Sequence, residues 1–226
     1  AAMIGLPQGQ EQLALGSVLL DDVGPKVGQP DVAVRVDGGE LRARVAVEGG
    51  NLGLTQLARV EYAIRGGLIY TDAIDNSAGV DCSDHEVNIK ILLRLVSQER
   101  GLKEKARNTL LAAMTEDVAA LVLRNNYLQT QAISMMEARA AQRLSEHREL
   151  IESLERSGLL NRRLECLPDD DEFEDRKRGE KGLTRPEISV ILSYAKLDLY
   201  RRLSADMPEL TPGNVEELRR YFPEAL

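Results

Sequence analysis

Two short stretches hold the residues whose types and spacing could do chemistry. The first is Glu48-Gly49-Gly50-Asn51. Glycines such as Gly50 let a ligand approach the backbone, and the Asn51 amide offers both a donor and an acceptor to a ribose or an amide. The same four residues also fit a plain strand-to-helix turn, with glycine supplying positive φ and asparagine stabilising the turn. The second stretch is Asp75-Asn76-Ser77-Ala78-Gly79-Val80-Asp81-Cys82-Ser83. Ser83 has two readings. It could cap a helix opened by the S-x-x-E box Ser83-Asp84-His85-Glu86, or it could contact a ligand at a helix N-terminus, where anions are favoured. Asp81, Asp84 and Glu86 could suggest a cation, but acids in a first helical turn also complement the helix dipole, and no metal site is assigned. Cys82 and His85 lack an orienting acid and read as structural. His147, in a charged helical stretch, reads as a surface residue. Arg176-Lys177-Arg178 is flanked by acids and reads as a solvated charged face. No G-x-G-x-x-G fingerprint occurs.

The elements around these stretches read as follows. Residues 1–30 are a weakly patterned arm. Val32, Val34 and Val36 alternate as in a short strand. Residues 43–47 form a second strand candidate. From Thr55 to Arg65, Leu57, Val60 and Ile64 recur on one helical face, and Gly66-Gly67 supplies the cap. Leu68-Ile69-Tyr70 is a third strand candidate. Strand, glycine-rich turn, helix and strand make a βαβ unit with parallel, right-handed geometry. If so, both chemical stretches lie beyond the same strand ends, where α/β sheets bind ligands. Residues 72–79 read as a polar loop. A helix then runs from Ser83 to Gly101. A further helix spans about 102–122, in one piece or in two divided near Thr115. Residues 127–157 lack Gly and Pro and keep helical spacing, which predicts one amphipathic helix about 45 Å long, ended by Gly158. Thr184-Arg185-Pro186-Glu187 is a second capping box, opening a helix to about Leu203. Thr211-Pro212 starts the last helix.

The chain has 226 residues and a net charge of −8, enough length for a real core. Residues 1–84 carry 6 Lys/Arg against 12 Asp/Glu, and residues 85–226 carry 23 against 25. The acidic balance argues against a nucleic-acid partner. No run approaches 18 apolar residues, so no membrane span is expected. Two cysteines and two histidines exclude a disulfide scaffold and a Cys-cluster zinc site. No basic leader stands at the start, and a cytoplasmic setting is expected. The fold class is therefore an α/β remnant, the βαβ of a Rossmann-like domain, followed by a mainly α-helical C-terminal domain. The divisions are residues 1–30, 31–100 and 101–226.

Several stretches together resemble the large bacterial NAD-specific glutamate dehydrogenases. They are residues 48–56, residues 71–93, Lys181 to Glu187 with Tyr194-Ala195-Lys196, and Arg220-Tyr221-Phe222-Pro223. The resemblance covers about residues 31–226. Glutamate dehydrogenases more widely show E-G-A-N and N-A-G-G-V-x-x-S, and this chain departs from them at Gly50, Ser77 and Ala78. The resemblance implies that Gly50, Asn51 and Asn76 serve NAD. It implies that Val80 packs against L-glutamate or 2-oxoglutarate, and that Ser83 bonds the side-chain carboxylate. The family's dinucleotide turn, substrate lysines and catalytic Lys and Asp lie upstream of this match, and nothing in residues 1–47 resembles them. No catalytic residue is therefore expected here. The chain is expected to be a C-terminal piece, inactive alone, partnered by the remainder of its parent and homo-oligomeric in the full-length enzyme. A non-catalytic helical interaction or scaffold module is the rival reading, and another amino-acid dehydrogenase a third.

Overall fold

The computed structural model describes residues 43–49, 53–206 and 212–226. The strand candidate at Val32–Val36 lies outside them. Among the described residues the regular elements are helices: α1 (Gln56–Ile64), α2 (Asp72–Asp75), α3 (Ser77–Arg100), α4 (Glu104–Ala113), α5 (Thr115–Ala138), α6 (Leu144–Arg156), α7 (Asp170–Arg178), α8 (Arg185–Asp206) and α9 (Pro212–Tyr221).

The expected βαβ unit of a Rossmann-like domain is not present among the described residues. Its place is taken by one isolated parallel bridge between Val45 and Leu68. Two bonds make it: Leu68 N–H to the Arg44 carbonyl at 2.8 Å and Ala46 N–H to the Leu68 carbonyl at 2.9 Å. The ladder stops there because Tyr70 is followed at once by Thr71, which opens α2. Val45 and Val47 are exposed among the described residues, and parallel pairing is stable mainly when covered on both faces.

Helix α1 forms where periodicity places it. The Thr55 side chain accepts from the Ala58 N–H, and Gly66 at φ +91° ends it. Gly67 has no room for a side chain, since a Cβ would stand 2.2 Å from the Tyr62 ring. The buried face differs from the expected one. Arg59, Val60 and Tyr62 point inward, while Leu57 and Ile64 are exposed. A buried ion pair at Arg59 and a bond from the Tyr62 hydroxyl to the Ala43 carbonyl at 2.7 Å turn the helix away from its aliphatic stripe.

Further along, α5 packs on α3 and α8, and α8 also meets α1 and α6. The main core joins Ile133 of α5, Ile151 and Leu154 of α6, Phe173 of α7, and Ile188 and Ile191 of α8, with Ile74 of α2 reaching into it. The single long helix expected over 127–157 is two helices broken at 139–143. No local breaker causes this. Gly182 packs so tightly against the end of α5 that a Cβ would lie 2.4 Å from the Ala140 backbone. The acidic-then-basic stretch before Lys181 is a helix. Asp169 caps α7 through a complete capping box with Glu172, with acids in the first turn and basic residues in the last. At α8 the Glu187 carboxylate accepts from the Thr184 N–H and hydroxyl at 2.6 and 2.7 Å. Arg176 holds the same carboxylate with two bonds of 2.8 and 2.7 Å. His147 is buried rather than on the surface, and burial holds its pKa below the usual histidine value.

Candidate functional site

The stretch expected to be a polar loop with a helix starting at Ser83 is already helical. Asn76 stands at the N-cap of α3, Ser77 is its first residue, and Ser83 lies inside the helix rather than at its cap. Contacts from α5 fix this earlier start. The Ser77 hydroxyl lies 2.6 Å from Asn126 Oδ1 and accepts from Gln129 Nε2 at 3.0 Å. It also reaches the Ile74 carbonyl at 2.8 Å, joining α2 to α3. The S-x-x-E pattern at 83–86 thus has the residues of a cap without a helix end to serve.

This start puts three expected site residues together. Asn76, Val80 and Ser83 are spaced i, i+4 and i+7, within an arc of about 60° on one face of α3. Val80 is 64% exposed, and Ser83 and Gly79 are exposed beside it. Val80 also lines a cleft of about 480 Å³ between α3, α5 and α8, with Asp81, Asp84, Gln129 and Lys196. Asn125 Nδ2 donates to Asp81 there at 2.9 Å, and Lys196 Nζ to Gln129 Oε1 at 2.8 Å. Gly50 and Asn51 lie outside the described residues. Gly49 borders them with open space where a side chain would stand.

At the α2–α3 junction, beside Asn76, sits a charge cluster of which only part was visible in sequence. Glu48 accepts from Arg59 Nε at 2.5 Å and Nη2 at 2.9 Å. The two side chains are 6% and 5% exposed. Arg59 Nη2 also lies 3.4 Å from Asp72 Oδ1. The Leu54 N–H donates to Glu48 Oε1 at 3.0 Å, and the Glu48 N–H donates to Asp75 Oδ2 at 2.9 Å. Burial raises the Asp75 carboxyl above the usual carboxylate range. The Glu48 N–H bond opposes this shift, and the Glu48 charge adds to it. Glu48 and Asp75 stood inside the two motifs. Arg59 was missed, because a charged residue on an amphipathic helix reads as its wet side.

His85 is buried against Tyr221 of α9, with ring centroids 4.5 Å apart and planes 17° from parallel. Cys82 is an exposed free thiol. The sequence showed no acid to orient His85, but Asp81 Oδ1 lies 3.7 Å from His85 Nε2. Asp81, Asp84 and Glu86 do not gather, and among the described residues no three His, Cys, Asp or Glu side chains cluster as a metal would require.

Comparison with known proteins places this geometry in a family. Residues 21–136, just over half of the chain, match the model for the bacterial NAD-glutamate dehydrogenase catalytic domain. Residues 180–226 match the glutamate dehydrogenase C-terminal model. The chain is similar to an NAD-specific glutamate dehydrogenase of Pseudomonas aeruginosa, at 56% identity over 208 residues. It is 48% identical over 206 residues to that of Halomonas elongata, and 44% over 207 to that of Mycobacterium tuberculosis. Each comparison covers 91% of this chain and 12% of the relative. Matched in order by two family models and by these relatives, the chain belongs to the bacterial NAD-glutamate dehydrogenase family.

Proposed function

We propose that this chain forms one wall of the cofactor and substrate cleft of an NAD-dependent glutamate dehydrogenase. The reaction converts L-glutamate, NAD and water to 2-oxoglutarate, ammonium, NADH and a proton. In this reading residues 31–100 carry the site and residues 101–226 form its helical support. Gly50, Asn51 and Asn76 face the cofactor, and Val80 and Ser83 face the substrate. The observation that carries it is the stripe made by half-buried Asn76 at the N-cap of α3 and exposed Val80 and Ser83 on the same face. An amide, an apolar contact and a hydroxyl follow one another there in the order a nicotinamide ribose, a carbon chain and a carboxylate would need.

The residues fit such a cofactor. Asn76 opens a 24-residue helix, whose N-terminal N–H groups favour polar and anionic groups. Exposed Gly79 leaves the backbone open beside it. NAD, when bound, accepts the hydride from the glutamate α-carbon. The chain's own part is to bind and orient. The Asn76 amide holds the ribose end, Val80 excludes water from the substrate chain, and the Ser83 hydroxyl donates to the γ-carboxylate. In this reading the proton-transfer groups come from the rest of the enzyme, which is cytoplasmic and self-associating.

The test uses a chimera in which this chain replaces the matching 208-residue stretch of the Pseudomonas aeruginosa relative. Ser83→Ala removes one bond to a charged group and is expected to raise the glutamate KM about 10- to 100-fold, with the NAD KM unchanged. An unchanged glutamate KM refutes the assignment. The 226-residue chain alone is expected to form no NADH from glutamate, and robust turnover would sink the partial-site reading.

A further inference from the structure

We propose that Glu48, Arg59 and Asp75 are positioning residues: their network locks the backbone at Glu48 to the α2–α3 junction and so sets where the Asn76 amide stands for the cofactor. The inference rests on the reading of Asn76 given above and adds to it the groups that aim it.

The geometry is a chain of direct bonds. Asp75 immediately precedes Asn76, and its Oδ2 accepts from the Glu48 N–H, 27 residues away, at 2.9 Å. The Glu48 carboxylate in turn receives both Arg59 bonds and the Leu54 N–H. Arg59 also approaches Asp72 in the first turn of α2. Arg59 of α1 therefore meets Glu48 and Asp72 directly, and the Glu48 N–H carries the link on to Asp75 at the entry to α3. Stability alone does not call for this arrangement. Two carboxylates share one arginine, and a buried ion pair is commonly no more stable than apolar residues of the same volume. What it supplies is register. Each bond is directional, and an error of about 1 Å in a substrate-positioning group can cost about 100-fold in rate.

Four variants of the same chimera test this: Asp75→Ala, Asp75→Asn, Asn76→Ala, and the Asp75→Ala/Asn76→Ala double. Asp75→Ala is expected to raise the NAD KM about tenfold, with the glutamate KM within about twofold of the parent. Asp75→Asn keeps an oxygen that accepts the Glu48 N–H and is expected to restore the NAD KM. In the Asn76→Ala background, Asp75→Ala is expected to add nothing, because the group it aims is gone. If Asn76→Ala raises the NAD KM and Asp75→Ala does not, the positioning role is refuted while the cofactor role of Asn76 stands. If Asn76→Ala leaves the NAD KM unchanged, the cofactor role fails and the positioning role with it. A loss of kcat with both KM values raised, not rescued by Asp75→Asn, marks a structural role and also refutes it. Hydrogen exchange in the 226-residue chain reads the bond without turnover. Glu48 amide protection should fall in Asp75→Ala and persist in Asp75→Asn; persistence in both overturns the proposal.

Discussion

Arg59→Met is the sharpest test of the charge cluster. Methionine keeps much of the arginine stem's apolar volume, so the substitution removes charge and hydrogen bonds more than packing. The wild-type pair is nearly dry, at 5% and 6% side-chain exposure, with two bonds to Glu48 of 2.5 and 2.9 Å. Removing one partner of a buried pair costs about 3–5 kcal/mol, chiefly because the other charge stays buried without compensation. Here the Leu54 N–H still bonds Glu48, and Asp72 keeps some solvent access. The expectation is therefore the lower end, about 3 kcal/mol, a factor of roughly 100 in the folding equilibrium. The Glu48→Gln/Arg59→Met double variant removes both charges and should recover most of that loss. Urea unfolding followed by circular dichroism gives the whole-chain value, and hydrogen exchange over residues 43–76 shows whether the loss is local. A cost under about 1 kcal/mol, or a double variant as unstable as Arg59→Met, would refute the claim that the buried charge of Glu48 depends on Arg59.

Three further outcomes follow from local geometry. Gly182→Ala places a methyl 2.4 Å from the Ala140 backbone and should cost about 2–3 kcal/mol. Gly179→Ala meets its nearest neighbour only at 3.4 Å and should cost far less, so equal costs in urea unfolding would contradict the packing of α5 on that turn. Burial depresses the His147 pKa from 6.5, so below about pH 6.5 the unfolded chain takes up a proton that the folded chain resists. Stability should fall as the pH drops through that range, and His147→Gln should flatten the fall; identical urea midpoints against pH in the two proteins would count against it. For Asp75 the sign is opposite. Its raised pKa makes the folded chain bind a proton more tightly, so stability declines as the pH rises through the raised value. Asp75→Asn should thus be at least as stable as the parent at pH 7, with the gap closing in acid.

Local signals in the sequence were reliable where local physics decides the structure. Gly66, Gly101 and Gly158 adopt positive φ where α1, α3 and α6 end. Thr184 and Glu187 bond as their spacing requires, and Leu144, Ile151 and Leu154 bury the face that periodicity assigns them. The errors arose where a distant contact overrides the local pattern. At the break over 139–143 Gly182, some forty residues on, packs directly against Ala140. The early start of α3 is secured by Asn126 and Gln129, which bond Ser77 from another helix. The strand candidates at 43–47 and 68–70 are short apolar runs, yet one bridge forms because α2 begins directly after Tyr70.

The two motifs were legible in sequence, but the tie between them was not. Residue types at 48–51 and 75–83 pointed to a site, and family resemblance supplied roles for five of those residues. Neither says that Asp75 accepts a backbone bond from Glu48, or that an arginine on α1 closes the cluster from below. A buried arginine cannot be told from a solvated one by period alone, because its long stem suits either face of an amphipathic helix. The structure distinguishes them through partners: Arg59 turns inward because Glu48 and Asp72 are there to receive it. Such a cluster is costly to bury, and that cost is what makes it selective. An alternative register would strand a carboxylate or a guanidinium without its partner, a penalty several times that of a misplaced methyl group. The same strictness that fixes Glu48 therefore fixes Asn76, since one bond between Glu48 and Asp75 joins them.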